Sequence, residues 1–322
     1  MNSRQSRQEE TARGATILLV AAVIALVIIF GRFGAQRFAA PPPTPTPAPT
    51  ATAAPTATAT PPPPPTVTPT PRPSPPTPTP VPVPDASVDE DYAQDGRKIV
   101  CLDPGHGGMD LGNVRLEDGK IALQEKDLTL EIALKLADWL RQNGYEVVLT
   151  RETDSEVNPS NEDVNGDGIV ADDGVANSDQ LDDLQARVNI CNLAAADLLV
   201  SIHLNGAENV FLAGYEVWYN GDRPFSGRSK TFAELIHTAL GQAYADAGYD
   251  ANDRGIGLED HAVTGPARPG KLIPSEMPGA VIEALFLSND EDAAFIKTGR
   301  AIDAIVAAYE KAISQYFDVY PG

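Results

Sequence analysis

The sequence predicts an α/β fold: a single domain with a mostly parallel central sheet flanked by helices, preceded by a transmembrane helix and a Pro/Thr-rich disordered linker. Three observations predict it. Short apolar runs at 98–102, 145–150, 197–202, 214–219 and 280–287 read as strands. Segments with helical periodicity at 125–142, 184–195 and 226–247 fall between them, and strand, helix, strand is how a parallel sheet begins. Residues 1–96 have a composition that cannot build a packed core, which leaves about 226 of the 322 residues for one domain.

Residues 1–14 are polar, with Arg4, Arg7 and Arg13, and read as a cytoplasmic N-terminus. Residues 15–31 read as a membrane anchor. Ala15 to Phe30 is apolar apart from Thr16, just enough for a spanning helix of roughly 17–25 residues. A cleaved signal peptide is the alternative, but no small-x-small cleavage site follows. Residues 38–96 read as a linker, and 41–84 hold 21 of the 29 prolines. Proline fixes φ and lacks an amide hydrogen, so an extended polyproline II stalk reaching on the order of 130 Å is expected. This places the chain at the cell membrane, single-pass, with its folded domain outside the cytoplasm, or secreted if the leader is cut.

The folded domain is expected over 97–318. Its first strand runs straight into Asp103-Pro104-Gly105-His106-Gly107-Gly108. Pro and Gly break the strand into a tight turn, so His106 falls at the carboxyl end of a central strand, the edge where open α/β sheets bind ligands. Leu128, Ile132, Leu136 and Leu140 then mark one face of a helix that starts near Glu125 and stops at Asn143-Gly144. Tyr145 to Thr150 is the second strand. The third ends in Ser201-Ile202-His203-Leu204-Asn205. Residues 249–278 read as irregular loop, and 291–317 as a short helix and a long closing one.

Residues 152–183 read as an acidic insertion, with eleven acidic residues and no Lys or Arg. Within it, Asp163, Asn165 and Asp167 take positions 1, 3 and 5 of an EF-hand-like loop, with Gly168 at position 6. Gly174 stands where the closing Glu belongs, leaving Asp172 or Asp173 to substitute. A calcium site and a plain acidic surface loop are both open readings. Cys101 and Cys191 read as two buried free thiols, because buried cysteine behaves as a small hydrophobe. A disulfide requires that their strand and helix lie adjacent.

Net charge is −21, and residues 85–322 carry −25, with 18 basic against 43 acidic side chains. Such a surface excludes nucleic acid as a partner. Of the four histidines, His106 and His203 follow apolar strands at equivalent ends. Imidazole is the commonest metal ligand, and two His with Glu125 make a catalytic zinc set with an open fourth position. Glu283 interrupts an apolar strand, where a buried carboxylate needs a partner or a raised pKa. Beside a metal it is a natural general base. His237 reads as structural. His261 either faces a substrate from its loop or plays no part.

Taken in order, Leu102-Asp103-Pro104-Gly105-His106-Gly107-Gly108, Gln124-Glu125-Lys126-Asp127, Leu149-Thr150-Arg151, Ser201-Ile202-His203-Leu204-Asn205 and Ile282-Glu283-Ala284-Leu285-Phe286-Leu287-Ser288-Asn289 resemble the zinc-dependent N-acetylmuramoyl-L-alanine amidases of amidase family 3, over roughly residues 97–317. The resemblance implies zinc on His106, Glu125 and His203. It implies Glu283 as the catalytic carboxylate, taking a proton from water and returning it to the departing alanine nitrogen. It also implies peptidoglycan as substrate, cut between the lactyl group of N-acetylmuramic acid and L-alanine. A zinc peptidase acting on wall peptides and a non-catalytic peptidoglycan-binding module are the alternatives. The chain departs from the family in the length of 152–183 and in 254–278, and no activator protein is legible.

Overall fold

The computed structural model describes residues 96–170, 178–265 and 272–322. The membrane span expected at 15–31, and all but the last residue of the linker expected at 38–96, lie outside them, as do Asp172 and Asp173. No described helix is long and apolar enough to cross a membrane.

Six strands form the main sheet: β1 (Ile99–Pro104), β4 (Glu146–Leu149), β5 (Leu198–Asn205), β6 (Tyr215–Tyr219), β7 (Asp253–Leu258) and β8 (Gly279–Phe286). Their order is β4-β1-β5-β8-β6-β7. Every neighbouring pair is parallel except β6 with β8, so the sheet is mostly parallel as expected. The helices are α1 (Glu125–Gln142), α2 (Ser178–Leu193), α3 (Ser226–Asp246), α4 (Asp290–Lys297) and α5 (Arg300–Val319).

Strand alternation divides the core in two. Val100 and Leu102, Val200 and Ile202, and Ala280 and Ile282 face one side, where α1, α3 and α5 cover them. Ile99, Cys101, Leu199 and Val281 face the other, against Val188 and Cys191 of α2. On α1 the expected stripe is buried as Ile132, Ala133, Leu136, Ala137 and Leu140. Nothing caps the helix start with a side chain, but Glu125 and Asp127 lie in its first turn, where the helix dipole favours negative charge. The α4 start is held differently, by the Asn289 side chain accepting from the amides of Glu291 and Asp292.

Two expectations are corrected. The stretch read as irregular, 249–278, contains β7. It is an edge strand whose Gly255 and Gly257 interrupt any apolar alternation, so periodicity does not reveal it. The cysteines are not free thiols: Cys101 and Cys191 form a disulfide. Cys101 faces α2 on the outer side of β1, so strand and helix meet the adjacency condition. The bridge closes a 90-residue separation. Replacing both cysteines by alanine is expected to cost about 2–5 kcal/mol of stability. Chemical denaturation of the variant, compared with the parent with and without reductant, measures it.

A two-stranded ribbon, β2 (Val114–Glu117) with β3 (Lys120–Gln124), lies between β1 and α1. Asp118 and Gly119 turn it, both with positive φ (50° and 72°), the conformation of a tight hairpin turn. The ribbon delivers Glu125 to the carboxyl edge of the sheet.

Candidate active site

His106 stands just beyond β1, in the turn that Pro104 and Gly105 begin. Its φ is +63°, a left-handed conformation that a non-glycine residue holds at a cost of roughly 1–3 kcal/mol. His203 lies in β5, the neighbour of β1. Glu125 is the first residue of α1. One ligand atom from each of the three falls within 4.8 Å of the others. Glu125 Oε1 is 3.1 Å from His106 Nε2 and 3.0 Å from His203 Nδ1. The two rings stand edge to face, 5.0 Å between centroids. Such closeness needs glycine nearby. A Cβ on Gly105 would sit 2.2 Å from the His203 ring, and one on Gly112 would sit 2.6 Å from Glu125 Oε2.

Glu125 and His106 are held from behind. Glu125 Oε2 accepts from the Asn113 amide and side chain (2.8 and 2.9 Å), and Oε1 also accepts from the Leu204 amide (3.1 Å). His106 Nδ1 is bonded to Asp110 Oδ2 at 2.8 Å, which leaves Nε2 turned to the centre. Burial opposes charge on Glu125, yet hydrogen bonds from His106 and His203 and their charge hold its carboxyl well below the usual range. Burial likewise disfavours a charged His106, but Asp110 and Glu125 outweigh it and push the pKa up to about 10. His203 is raised too, with burial opposing and Glu125 prevailing. A buried carboxylate shared by two imidazoles, one of them oriented by an outer carboxylate, is a donor set that fits a divalent metal.

Glu283 lies in β8, paired in register with His203 on one side and Glu216 on the other. Its Oε2 is buried, with no hydrogen-bond partner among the described residues. Burial pushes its pKa up to about 7. His203 opposes the rise, and the charges of Glu125 and Glu216 add to it. Beside these groups opens a cavity of about 590 Å³, lined by His106, His203, Glu283, His261 and the insertion residue Glu156 among others. His261 therefore faces the cleft. His237 does not line it: its Nε2 pairs with Asp253 at 2.7 Å and its ring packs on Tyr215.

Asp163, Asn165 and Asp167 are not brought to this centre. Asp163 accepts from the amides of Gly166 and Gly168 (2.8 and 2.9 Å), and Asp167 from that of Ile169 (2.8 Å). Asn165 accepts from the Asp167 amide at 2.9 Å. Asp182, at the start of α2, closes the loop by accepting from the amides of Val164 and Asn165. Among the described residues, three or more His, Cys, Asp or Glu donors converge only at His106, Glu125 and His203.

Four residues escape sequence reasoning. Asp110 lies four residues beyond His106, a spacing that means little outside a helix. Asn113 carries no signal in an irregular stretch. Arg187, whose guanidinium donates to the His106 carbonyl at 2.7 Å, reads as an ordinary helix residue. Glu216 sits in an alternating strand; it accepts from Asn205 and Arg254 while facing Glu283 across the sheet.

A family profile described as N-acetylmuramoyl-L-alanine amidase matches residues 100–315. The germination-specific N-acetylmuramoyl-L-alanine amidase of Bacillus subtilis is 32% identical over 221 residues, covering 68% of this chain and 80% of that protein. Among solved structures, the CwlD amidase of Clostridioides difficile, in complex with the GerS lipoprotein, superposes with a TM-score of 0.55 at 27% identity, covering 69% of this chain and all of that one. The catalytic domain of the amidase CwlV from Bacillus (Paenibacillus) polymyxa gives 0.51 at 27%, covering 69% of this chain and 99% of its own.

Proposed function

Since the chain belongs to the N-acetylmuramoyl-L-alanine amidase family, we propose that it works with a zinc ion held by His106, Glu125 and His203, and with Glu283 as general base. The reaction is that of the family: hydrolysis of the amide between N-acetylmuramic acid and L-alanine in peptidoglycan. The observation that carries the zinc reading is the approach of three donor atoms to within 4.8 Å at the carboxyl edge of the sheet. When bound, zinc supplies a Lewis acid that polarises the scissile carbonyl and acidifies water. Glu283 takes a proton from the attacking water and returns it to the alanine nitrogen as the bond breaks. Its buried Oε2, with no hydrogen-bond partner among the described residues, suits both halves of that exchange: burial raises the carboxyl's affinity for the proton, and its release is eased by the nearby cation. His106 is kept in one orientation by Asp110, and Glu125 is kept ionised by its amide donors and imidazole neighbours.

Two further proposals concern the rest of the chain. Calcium on Asp163, Asn165 and Asp167 is favoured by the EF-hand-like spacing and by the loop's closed, amide-bonded carboxylates. Anchorage by residues 15–31, with the catalytic domain outside the cytoplasm, is favoured by the apolar span. The Cys101–Cys191 bridge also suits an oxidising compartment.

One experiment tests the catalytic reading. Purified chain is analysed for bound metal and then incubated with isolated cell wall. One zinc per chain, new N-terminal L-alanine and free muramic lactyl groups are expected. New termini at other stem-peptide positions would mean a peptidase, and intact wall a binding module. The same metal analysis reads calcium.

A further inference from the structure

We propose that Arg187 is a positioning residue for His106, and that residues 154–158 of the acidic insertion, acting with Asp183 of α2, hold Arg187 and the turn in place. The inference rests on the zinc amidase reading above and names the element that fixes one of its ligands. It is carried by a continuous run of hydrogen bonds from the insertion to the turn. The insertion amides of Val157 and Asn158 donate to Asp183 Oδ1 at 2.5 and 2.9 Å. The other oxygen of that carboxylate accepts from Arg187 Nε at 2.8 Å. The far side of the guanidinium then reaches the turn. Nη1 donates to the Pro104 carbonyl (2.8 Å) and to Asp103 Oδ1 (2.9 Å), and Nη2 donates to the His106 carbonyl (2.7 Å).

The insertion also grips the turn directly. Asp154 accepts from the Gly108 amide at 2.9 Å, and Glu156 from the Met109 amide at 3.2 Å. Its carboxylates are committed to the turn: Asp154 and Glu156 each hold an amide there, and both oxygens of Asp183, in α2, are bonded. The turn needs such support, because His106 occupies a left-handed conformation that its own sequence does not favour. Only a guanidinium suits the task. Its planar fork spans two carbonyls and two carboxylates at once, whereas an ammonium is a point charge on a flexible stem. In this arrangement residues 154–158 and Asp183 set where the His106 backbone stands, and through it the affinity and geometry of the metal site.

The test uses the full chain. Asp183→Ala cuts Val157 and Asn158 from Arg187 while keeping the buried Arg187–Asp103 pair. Asp183→Asn retains an oxygen for the two amides but loses the charge that orients Arg187. Arg187→Lys keeps the charge and loses the fork. Metal-stripped protein is titrated with zinc against a chromophoric chelator, and the visible spectrum of the cobalt(II) form is recorded. Thermal unfolding checks that each variant is folded. For Asp183→Ala a loss of about tenfold in zinc affinity is expected, with a shifted cobalt spectrum and a lowered but still cooperative melting transition. Asp183→Asn should fall between it and the parent, and Arg187→Lys beyond it. A folded Asp183→Ala with parent zinc affinity and parent cobalt spectrum overturns the proposal. Should that variant not fold, a parent-like Asp183→Asn overturns it instead. A parent chain that takes up no zinc overturns this inference together with the reading beneath it. A zinc-binding parent beside unaffected variants overturns this inference alone.

Discussion

Glu283→Gln is expected to take up zinc as the parent does and to lose roughly a hundred- to ten-thousand-fold in kcat on cell wall, the range that a positioned general base contributes. The amide has nearly the shape of the carboxylate and fills the same place in β8, but it cannot accept the proton of the attacking water. Metal analysis beside initial rates separates the two effects. Parent-like turnover in the variant would remove Glu283 from the chemistry. The same substitution has a second signature, in stability. Burial raises the carboxyl from its usual 4.5 to about 7, against the pull of His203 and with help from Glu125 and Glu216. The fold therefore favours the protonated form. That contribution is fully present below pH 4.5 and is lost as the pH climbs to about 7. Metal-free Glu283→Gln cannot ionise. It should melt with the metal-free parent near pH 4 and above it beyond pH 7, and thermal scans at the two pH values measure the gap. A bound divalent cation pulls the carboxyl back down, so zinc should narrow the difference.

Removal of the metal is expected to be as severe. A chelator should abolish hydrolysis, and added zinc should restore it in the parent. His203→Ala should lose zinc by more than the roughly 10–100-fold that an outer partner costs, and added zinc should not rescue it at ordinary concentrations. Equilibrium dialysis and wall-digestion rates read the two effects side by side. The pH dependence has a definite sign. Without metal, Asp110 and Glu125 overcome burial and push His106 up to about 10, so its ring carries a proton at neutral pH. Zinc must displace that proton. Apparent affinity should therefore rise with pH over this range and fall as the solution is acidified. An affinity independent of pH would mean that the imidazoles are not ligands.

What the sequence reveals of this molecule is what is encoded locally. His106 and His203 stand out because a strand that runs into a small-residue or polar turn exposes its last side chain at the sheet edge. Glu283 stands out because a carboxylate in an apolar run demands a reason. Glu125 is weaker on its own, an acidic residue at a helix start, and gains meaning only from the other three. The β2–β3 ribbon has a local signal in Asp118-Gly119, but its strands lack a buried face, with Leu116 and Ile121 both exposed. Strand β7 is hidden by its glycines. The rest is tertiary. Cys101 and Cys191, Arg187 and the His106 carbonyl, and Glu216 and Glu283 lie far apart in the chain. Only the packing of α2 on the sheet and the pairing of β6 with β8 within it bring them together, and no window of sequence contains both members of any pair.

The face that Cys101 takes in β1 has a consequence for how the chain matures. Side chains alternate along the strand, so sliding β1 by a single position would turn Cys101 toward α1 and carry Asp103 with it, away from Thr150, Ser201 and Arg187. Bond formation with Cys191 thus succeeds only in molecules whose first strand is already aligned beneath the catalytic turn. Oxidation would then seal correctly threaded copies and leave misthreaded ones as free thiols, able to unfold and thread again.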